Sequence, residues 1–275
     1  MSNPMIQAAV TMNQLQQKMD VIGNNLANSQ TTGYKSRQGE FSSLLYQQID
    51  NMKHPANNEG RRTPDGIRVG TGAGLGSITA NQTSGAIAET GRALDAALLN
   101  DRHYFQIQVT ENGNSETRYT RNGSFYLNQL NNQGDLVLSA ADGSPVVGQD
   151  GPIVIEEGFE AIQINPDGRV MTTRNGQQQL EGTLDVVEAV RPRLLEAAGD
   201  SYFRVPANSG FNVGDIIQGA APAGDLIQSG ALEQSNVDMA KEMNDLIMAQ
   251  RSYQFNSRTI SMGDQMAGLI SQLRG

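Results

Sequence analysis

The sequence predicts an α+β protein, in which long helices at both ends of the chain form a coiled-coil-like arm and the middle forms an antiparallel β domain rich in hairpins. Apolar residues recur at intervals of three and four over residues 3–29, and again from about residue 237 to residue 273, which is typical of helices that pack along a seam. From about residue 84 to 205 the apolar pattern has a period of two and is interrupted by Asn-Gly and Asp-Gly pairs, which predicts strands and hairpins.

The N-terminal helix is predicted to start at Asn3, which can cap it, with Pro4 at its first position. Its seam steps by three and four without a gap and consists of Met5, Ala8, Met12, Leu15, Met19, Ile22 and Leu26. Because glycine costs a helix up to about 1 kcal/mol relative to alanine, we expect that a second backbone approaches Gly23 or that the helix bends there. The run Thr31-Thr32-Gly33 predicts the end of the helical segment.

The C-terminal helix is predicted to begin near Val237, because Ser235 and Asn236 are both suitable N-caps. Its length of roughly 35 residues corresponds to a rod about 50 Å long. Its apolar residues form two seams, one of Met239, Met243, Leu246, Tyr253 and Ile260, and the other of Phe255, Met262, Met266, Leu269 and Leu273. A helix that needs burial on more than one face needs more than one neighbour.

Within the β domain, Phe105, Ile107 and Val109 alternate with polar residues and predict a half-buried strand. Tight hairpin turns are expected at Asn122-Gly123 and Asp167-Gly168, since such pairs favour the positive φ angles of primed turns. Taken together, these patterns predict a helical arm over 1–46, an extended linker over 47–83, the β domain over 84–205, a return connection over 206–229 and a C-terminal arm over 230–275.

Composition argues against several classes of function. A formal net charge of −9, with no basic cluster beyond Arg61-Arg62, argues against nucleic acid as a partner. The lack of cysteine removes disulfides, thiolate catalysis and cysteine-ligated zinc. The N-terminus does not have the pattern of a cleavable signal, and no apolar run is long enough for direct membrane insertion.

The sequence offers no candidate catalytic, cofactor-binding or metal-binding residue, and we expect no cofactor. Gly70-x-Gly72-x-Gly74 lacks the lysine and hydroxyl residue of a phosphate loop, and His54 stands alone in a polar stretch. The acidic residues of the β domain mostly lie in or beside glycine turns, where aspartate is favoured for backbone reasons, and His103 is the only imidazole there.

Three stretches of the sequence form recognisable motifs, namely Met19-Asp20-Val21-Ile22-Gly23-Asn24-Asn25-Leu26-Ala27-Asn28 with Thr31-Thr32-Gly33-Tyr34-Lys35, then Tyr119-Thr120-Arg121-Asn122-Gly123-Ser124-Phe125, and Gly230-Ala231-Leu232-Glu233-Gln234-Ser235-Asn236-Val237-Asp238. These motifs resemble signatures of the bacterial flagellar rod and hook family. Residues 100–105 depart from the family pattern, which usually turns on glycine before two phenylalanines. Residues 64–72 are most similar to the distal rod branch of the family, with the proximal rod and hook branches as alternatives.

This resemblance implies a structural subunit and not an enzyme. Members of the family are exported unfolded through the flagellar type III apparatus without a cleaved signal. Outside the cytoplasmic membrane they polymerise into a hollow helical axis, with the terminal helices as an inner tube and the β domains as an outer layer. The implied partners are copies of the same chain, other rod and hook proteins, and the export apparatus.

The expected polymer interface lies mainly on the terminal helices. It consists of Met5, Met12, Leu15, Met19, Ile22, Asn24, Asn25, Leu26, Asn28, Leu232, Asn236, Met243, Leu246, Ile247, Gln250, Tyr253, Ile260, Met266 and Leu269. Before assembly, we expect the two arms to be mobile, because they cannot bury enough apolar surface to offset the entropy of ordering. Two alternatives remain open, namely an amphipathic helix pair on an ordinary core, and a secreted enzyme that acts on the cell wall through paired carboxylates.

Overall fold

The computed structural model of the protein contains two long helices, one at each end of the chain, with many short strands between them in sequence. The structure describes residues 3–43, 46–49, 67–70, 73–111, 113–129, 135–199, 201–206, 210–220 and 226–274. The predicted α+β class is confirmed. Internal contacts divide the chain into a helical unit, residues 1–26, 37–79 and 238–275, and a β unit, residues 27–36 and 80–237.

The first elements are α1 Asn3–Ala27, β1 Arg37–Ser43, β2 Tyr46–Ile49, β3 Ile67–Gly70, β4 Ala73–Ala80, β5 Ile87–Glu89, β6 Ala96–Leu98, β7 His103–Glu111 and β8 Asn114–Thr120. They are followed by β9 Tyr126–Gln129, β10 Leu136–Ser139, β11 Val147–Gly148, β12 Gly151–Pro152, β13 Val154–Ile155, β14 Ala161–Ile164, β15 Arg169–Arg174, β16 Gln177–Thr183 and β17 Val186–Ala189. The last elements are a 3-10 helix Pro192–Leu194, β18 Glu196–Ala197, β19 Tyr202–Arg204, α2 Val213–Ile216, β20 Ile217–Gly219, β21 Ile227–Ser229, β22 Ala231–Glu233 and α3 Met239–Arg274.

The largest sheet of the β unit has six strands in the order β18-β19-β8-β7-β17-β20. Two three-stranded sheets, β13-β10-β9 and β14-β15-β16, and the pairs β11–β12, β21–β6 and β22–β5 complete this unit. In the helical unit β1 pairs with β4, and β2 pairs with β3. The defined registers are antiparallel, as in β7 and β8, where Ile107 lies opposite Arg118.

Strand β7 shows the predicted alternation, since Phe105, Ile107 and Val109 are all buried. Tyr104 is buried as well, because apolar side chains cover both faces of the sheet here, and its ring packs edge-on against Phe203 with centroids 5.8 Å apart. Side chains of the β unit therefore form its apolar core on both sides of the central sheet.

The predicted hairpin at Asp167-Gly168 is present, because β14 and β15 pair antiparallel on either side of it. Its turn is not the predicted primed type, since Asp167 does not have a positive φ. Its loop is closed by a hydrogen bond of 2.9 Å from Asn165 N to Arg169 O, and Gly168 supplies a positive φ of 83°. A tighter turn at Asn175-Gly176, with φ angles of 50° and 75°, joins β15 to β16. This turn is not evident from the sequence, because the glutamines that follow it obscure the strand pattern.

The predicted hairpin at Asn122-Gly123 is wrong. The strands before and after this pair, β8 and β9, belong to different sheets, so the pair connects two sheets. Gly123 is required for a close approach, since a Cβ at this position would lie 1.7 Å from Ala96 O. Strand β8 is held by β7 and β19 on its two sides, and this pairing overrides the local turn preference of Asn-Gly.

The stretches predicted as a linker and a return connection contain paired strands. In the first, β2 pairs with β3, and β4 pairs with β1. Residues 50–66, which include His54 and Arg61-Arg62, and residues 71–72 lie outside the described residues. In the second, β20 pairs with β17 and β21 with β6. These strands are short and glycine-rich or irregular in pattern, so their pairing is set by tertiary context rather than by a visible period.

Two segments that adjoin the helices in sequence lie side by side in the β unit. We call these segments, residues 33–36 and 233–236, the junction. Gly33 N donates to Glu233 O at 2.8 Å, and Ser36 N donates to Asn236 Oδ1 at 2.7 Å. Residues 27–36, which the sequence analysis assigned to the helical arm, therefore fold with the β unit.

Three charged side chains at the junction form what we call the ion cluster. Glu233 Oε1 accepts a hydrogen bond from Lys35 Nζ at 2.8 Å, and Glu233 Oε2 accepts one from Arg121 Nε at 2.6 Å. All three side chains are at most 1% exposed. Gly85 N donates to Glu233 Oε1 at 2.8 Å, and Lys35 Nζ also donates to Thr83 O at 2.8 Å. The one carboxylate thus binds both cations and a backbone amide.

Arg121 also closes the turn before β7. Its Nη1 donates to the carbonyl oxygens of Asn100 and His103, each at 2.8 Å. The turn forms without glycine, with His103 N donating to Asn100 O at 3.3 Å, at the point where the sequence departs from the family pattern. A guanidinium carries five donors in one plane, so it can bind a carboxylate and two carbonyls at once.

The ion cluster contains two cations and one anion in the interior of the β unit. Burial, and then repulsion from Arg121, lowers the pKa of Lys35 to about 8, while attraction to Glu233 acts in the opposite direction. Removing one partner from a buried ion pair costs about 3–5 kcal/mol, because the remaining charge stays buried without compensation. Glu233 is the member whose loss would leave both cations unpaired.

We expect Glu233→Gln to lower the free energy of unfolding by about 3–5 kcal/mol, because both cations would lose their counter-charge. The measurement is urea unfolding of the full chain followed by circular dichroism. Glu157→Gln is the matched control, since Glu157 is exposed, and its effect should stay within about 0.5 kcal/mol. A loss below about 1 kcal/mol for Glu233→Gln would show that the cluster is not a main source of stability.

Gly123→Ala should lower the free energy of unfolding by about 2 kcal/mol or more, because the added Cβ would overlap the Ala96 carbonyl oxygen and force the backbone apart. The control is Gly219→Ala, where no atom lies within 4 Å of the added Cβ. Both variants can be compared by the same urea titration. Equal stability of the two variants would contradict the close packing of residues 96 and 123.

Candidate assembly surface

Helices α1 and α3 pack against each other in opposite directions within the helical unit. Near the end of α1, Asn25 Nδ2 donates to Glu242 Oε1 at 3.1 Å, close to the start of α3. Near the start of α1, Met5 lies against Gly263, where a Cβ would be 3.0 Å from Met5 Cγ. These two contacts fix the register of the pair along about 20 residues of each helix.

Asn25 joins three elements of the helical unit and is only 1% exposed. Its Nδ2 donates to Arg37 O and its Oδ1 accepts from Arg37 N, each at 2.8 Å, in addition to the bond with Glu242. The side chain thus satisfies both backbone groups at the first residue of β1, as a neighbouring strand would. Asn25 was predicted to lie at the polymer interface, whereas these bonds lie within one chain.

Helix α3 begins at Met239, two residues later than predicted, and its N-cap is Asp238. Asp238 Oδ1 accepts hydrogen bonds from the backbone N of Ala240 at 3.0 Å and of Lys241 at 3.1 Å. An aspartate at this position also complements the positive end of the helix. Asn236 is not the cap, because its side chain bonds within the β unit.

One stripe of α3 is at least partly buried within the helical unit. Its members are Glu242, Asp245, Leu246, Ala249, Tyr253, Asn256, Thr259, Ile260 and Gly263. The first predicted seam is therefore right for Leu246, Tyr253 and Ile260, but Met239 and Met243 are exposed. In the register of the pair, Met239 lies beyond the end of α1, and Met243 lies about 120° around the helix from the centre of the stripe.

The rest of α3 exposes a broad apolar surface. Its large exposed side chains are Met239, Met243, Ile247, Met248, Phe255, Met262, Met266, Leu269, Ile270 and Leu273. Phe255 is 70% exposed, and every member of the second predicted seam belongs to this group. Apolar surface of this extent is typical of sites that contact another protein, a membrane or a ligand.

Each of the seven residues of the seam predicted for α1 is buried or half-buried. The opposite face is polar and exposed, with Asn13, Gln16, Gln17 and Asp20. Gly23 lies on this open side, and no atom is within 4 Å of a Cβ placed there. Of the two outcomes expected at Gly23, the close approach of a second backbone is therefore absent within the chain.

The predicted interface residues fall into three groups. Exposed members are Asn24, Met243, Ile247, Gln250, Met266 and Leu269. Half-buried members are Met5, Met12, Leu15, Met19, Leu26, Asn28, Leu232, Asn236, Leu246, Tyr253 and Ile260, and the buried members are Ile22 and Asn25. Within this set, Asn28, Leu232 and Asn236 belong to the β unit.

Two aspartates of the β unit accept hydrogen bonds from the backbone of their own turns. Asp142 Oδ1 accepts from Ser144 N at 3.1 Å, and Asp167 Oδ1 accepts from Arg169 N at 3.2 Å. Among the described residues, no group of three or more histidines and carboxylates could hold a metal ion. In the same part of the chain, no helix has both the length and the apolar character needed to cross a bilayer.

Three flagellar family models match successive parts of the chain. A flagella basal body rod protein model matches residues 7–35, and a flagellar hook protein FlgE/F/G D1 domain model matches residues 98–172. A model of the flagellar basal body rod FlgEFG protein C-terminal region matches residues 228–273. Each member of the ion cluster lies in a different matched region.

Relatives resemble the chain over nearly its whole length. The flagellar hook-basal body complex protein FlhP of Bacillus subtilis strain 168 is 40% identical over 100% of both chains. The flagellar basal-body rod protein FlgG of Caulobacter vibrioides is 35% identical over 97% of each chain, and FlgG of Bacillus subtilis strain 168 is 34% identical over 96% of each. This chain belongs to the bacterial flagellar basal-body rod and hook protein family.

Proposed function

We infer that the chain is a structural subunit of the flagellar rod, specifically of the distal rod, and that it polymerises into the hollow axial shaft between motor and hook. Relatives named flagellar basal-body rod protein FlgG cover most of the chain at 30–35% identity, which supports the rod assignment. The proximal rod and the hook are the alternative positions within the family.

The observation that carries this function is the exposed apolar surface of α3. Helix α1 covers one stripe, while side chains such as Ile247 and Phe255 face solvent in the single chain. An open helical polymer needs two different complementary surfaces on each subunit, so a helix with several apolar faces suits it. The same surface would be a liability in a protein that works as a monomer.

Within the subunit, α1 and α3 form a coiled-coil-like arm. The antiparallel register from Met5–Gly263 to Asn25–Glu242 and the half-buried seam of α1 support this pairing. At about 25 cal/mol per Å², burying several hundred Å² of apolar surface on each arm contributes on the order of 10 kcal/mol before the entropy of ordering is subtracted. Neighbouring subunits supply burial that offsets the entropy of ordering, so the arm becomes ordered when the subunits assemble.

The residues of the arm that stay exposed in the single chain indicate which surfaces contact its partners. The exposed members of the predicted interface, among them Met243, Ile247 and Leu269, contact other copies of the chain, and the half-buried members hold the subunit's own arm together. Adjacent rod and hook proteins contact the first and last copies. The export apparatus delivers the chain to the basal body, outside the cytoplasmic membrane.

The first test is quantitative mass spectrometry of purified hook–basal bodies from wild type and from a strain that lacks the gene, with electron microscopy of both. A distal rod subunit should be stoichiometric in wild-type particles, and its loss should leave a shortened rod without a hook. Loss that leaves a full rod but no hook would assign the chain to the hook. Normal particles without the protein would refute the structural role.

Ile247→Glu should block incorporation into basal bodies, because a carboxylate would be buried at the contact between subunits. The change should leave the thermal unfolding of the soluble chain nearly unchanged, since Ile247 is 46% exposed there. Gln178→Glu adds the same charge at an exposed position of the β unit and should assemble normally. Swimming motility and the amount of variant in purified particles are the readouts, and normal motility of Ile247→Glu cells would contradict this surface.

A further inference from the structure

The end of α3 continues past its partner helix. Met5 lies against Gly263 and α1 begins at Asn3, so in an antiparallel pair the residues of α3 after about 265 have no turn of α1 opposite them. We call residues 266–274 the overhang. Its apolar residues Met266, Leu269, Ile270 and Leu273 follow helical spacing along one stripe, and each is 60–89% exposed.

A groove runs along the exposed side of α1 and consists of two adjoining depressions. The apolar side chains that line the first include Met12, Tyr253 and Ile260. The second continues along α1 to Val21 and Ile78. Gln17 and Asp20 line both depressions, so the two form one groove in which polar and apolar side chains alternate.

We propose that the overhang of one subunit docks in this groove of a second copy. The inference rests on the proposed polymerisation and identifies the two surfaces that meet. Along α1 the groove spans residues 9–24, about 22 Å, and the overhang is about 14 Å long, so the overhang fits within it. The apolar stripe meets the apolar side chains of the groove, such as Met12 and Ile78.

Backbone shape agrees with this occupant. Gly23 lies on the same side of α1 as Asp20, and the space beside it is open for 4 Å, which allows a second helix backbone to come close.

The overhang cannot reach the groove of its own subunit. In the register of the pair, Gln17 lies opposite about residue 250 of α3, so Ile270 is about 20 residues, or about 30 Å, farther along the same helix. The contact is therefore between subunits. Because the two surfaces differ, it is a head-to-tail contact that leaves a free overhang and a free groove at the ends, and it can repeat along the axis.

The chain has no cysteine, so a Gln17→Cys/Ile270→Cys double variant carries only the two thiols that the test needs. A disulfide requires Cα atoms within about 7 Å, so it reports direct docking. Hook–basal bodies from cells with this variant as the sole copy should give a ladder of covalent multimers after mild oxidation, on a non-reducing gel. The soluble variant should remain at least fivefold less cross-linked.

The matched control is Gln17→Cys/Gln272→Cys, because Gln272 is also exposed but lies about 200° around the helix from Ile270. It should give at least fivefold less ladder, and each single-cysteine variant should stop at dimers. If each double variant is present in its particles but the two give equal ladders, or neither gives a ladder, the docking site is wrong and the rod function still stands. If the unmodified chain is absent from the particles, the docking site and the rod function are both wrong.

Discussion

The buried ion cluster is the constraint on which the packing of the β unit depends. It binds Lys35 and Arg121 to a single carboxylate, Glu233, and so joins positions that are 198 residues apart in sequence. The surrounding backbones must come very close for these charges to meet. A Cβ at Gly33 would lie 2.6 Å from Asn122 N, and one at Gly85 would lie 1.9 Å from Gln234 O. Glycine at both positions is thus a consequence of the same contact.

Charge is distributed unevenly between the two units. The helical unit has 10 lysines and arginines against 9 aspartates and glutamates, whereas the β unit has 10 against 20. The excess negative charge of the chain is thus carried by the β unit. Like-charged β units repel one another and resist non-specific association, while the nearly neutral helical unit can approach a second copy with little electrostatic cost. This distribution favours association through the helices.

The sequence predicts those parts of the fold that depend on local spacing. The apolar steps of three and four give α1 and α3, and Asp167-Gly168 gives a hairpin. Asn122-Gly123 misleads, because pairing of β8 with strands distant in sequence decides its conformation. The ion cluster could not be found by spacing, since its members come from three separate stretches, although each lies within a family signature. The sequence predicts which residues share a face of α3, but whether a face is exposed depends on where α1 ends.

A single chain buries its two units to different degrees. The β unit encloses side chains such as Phe105 and Ile216 completely, using residues that it supplies itself. Among the described residues of the 36-residue α3, by contrast, Ala249 is the one side chain that is nearly fully buried. Helices of this kind gain most of their stability from tertiary packing rather than from intrinsic propensity. We infer that neighbouring subunits supply that packing in the proposed polymer, so the free energy that orders the arm is the same free energy that joins the subunits.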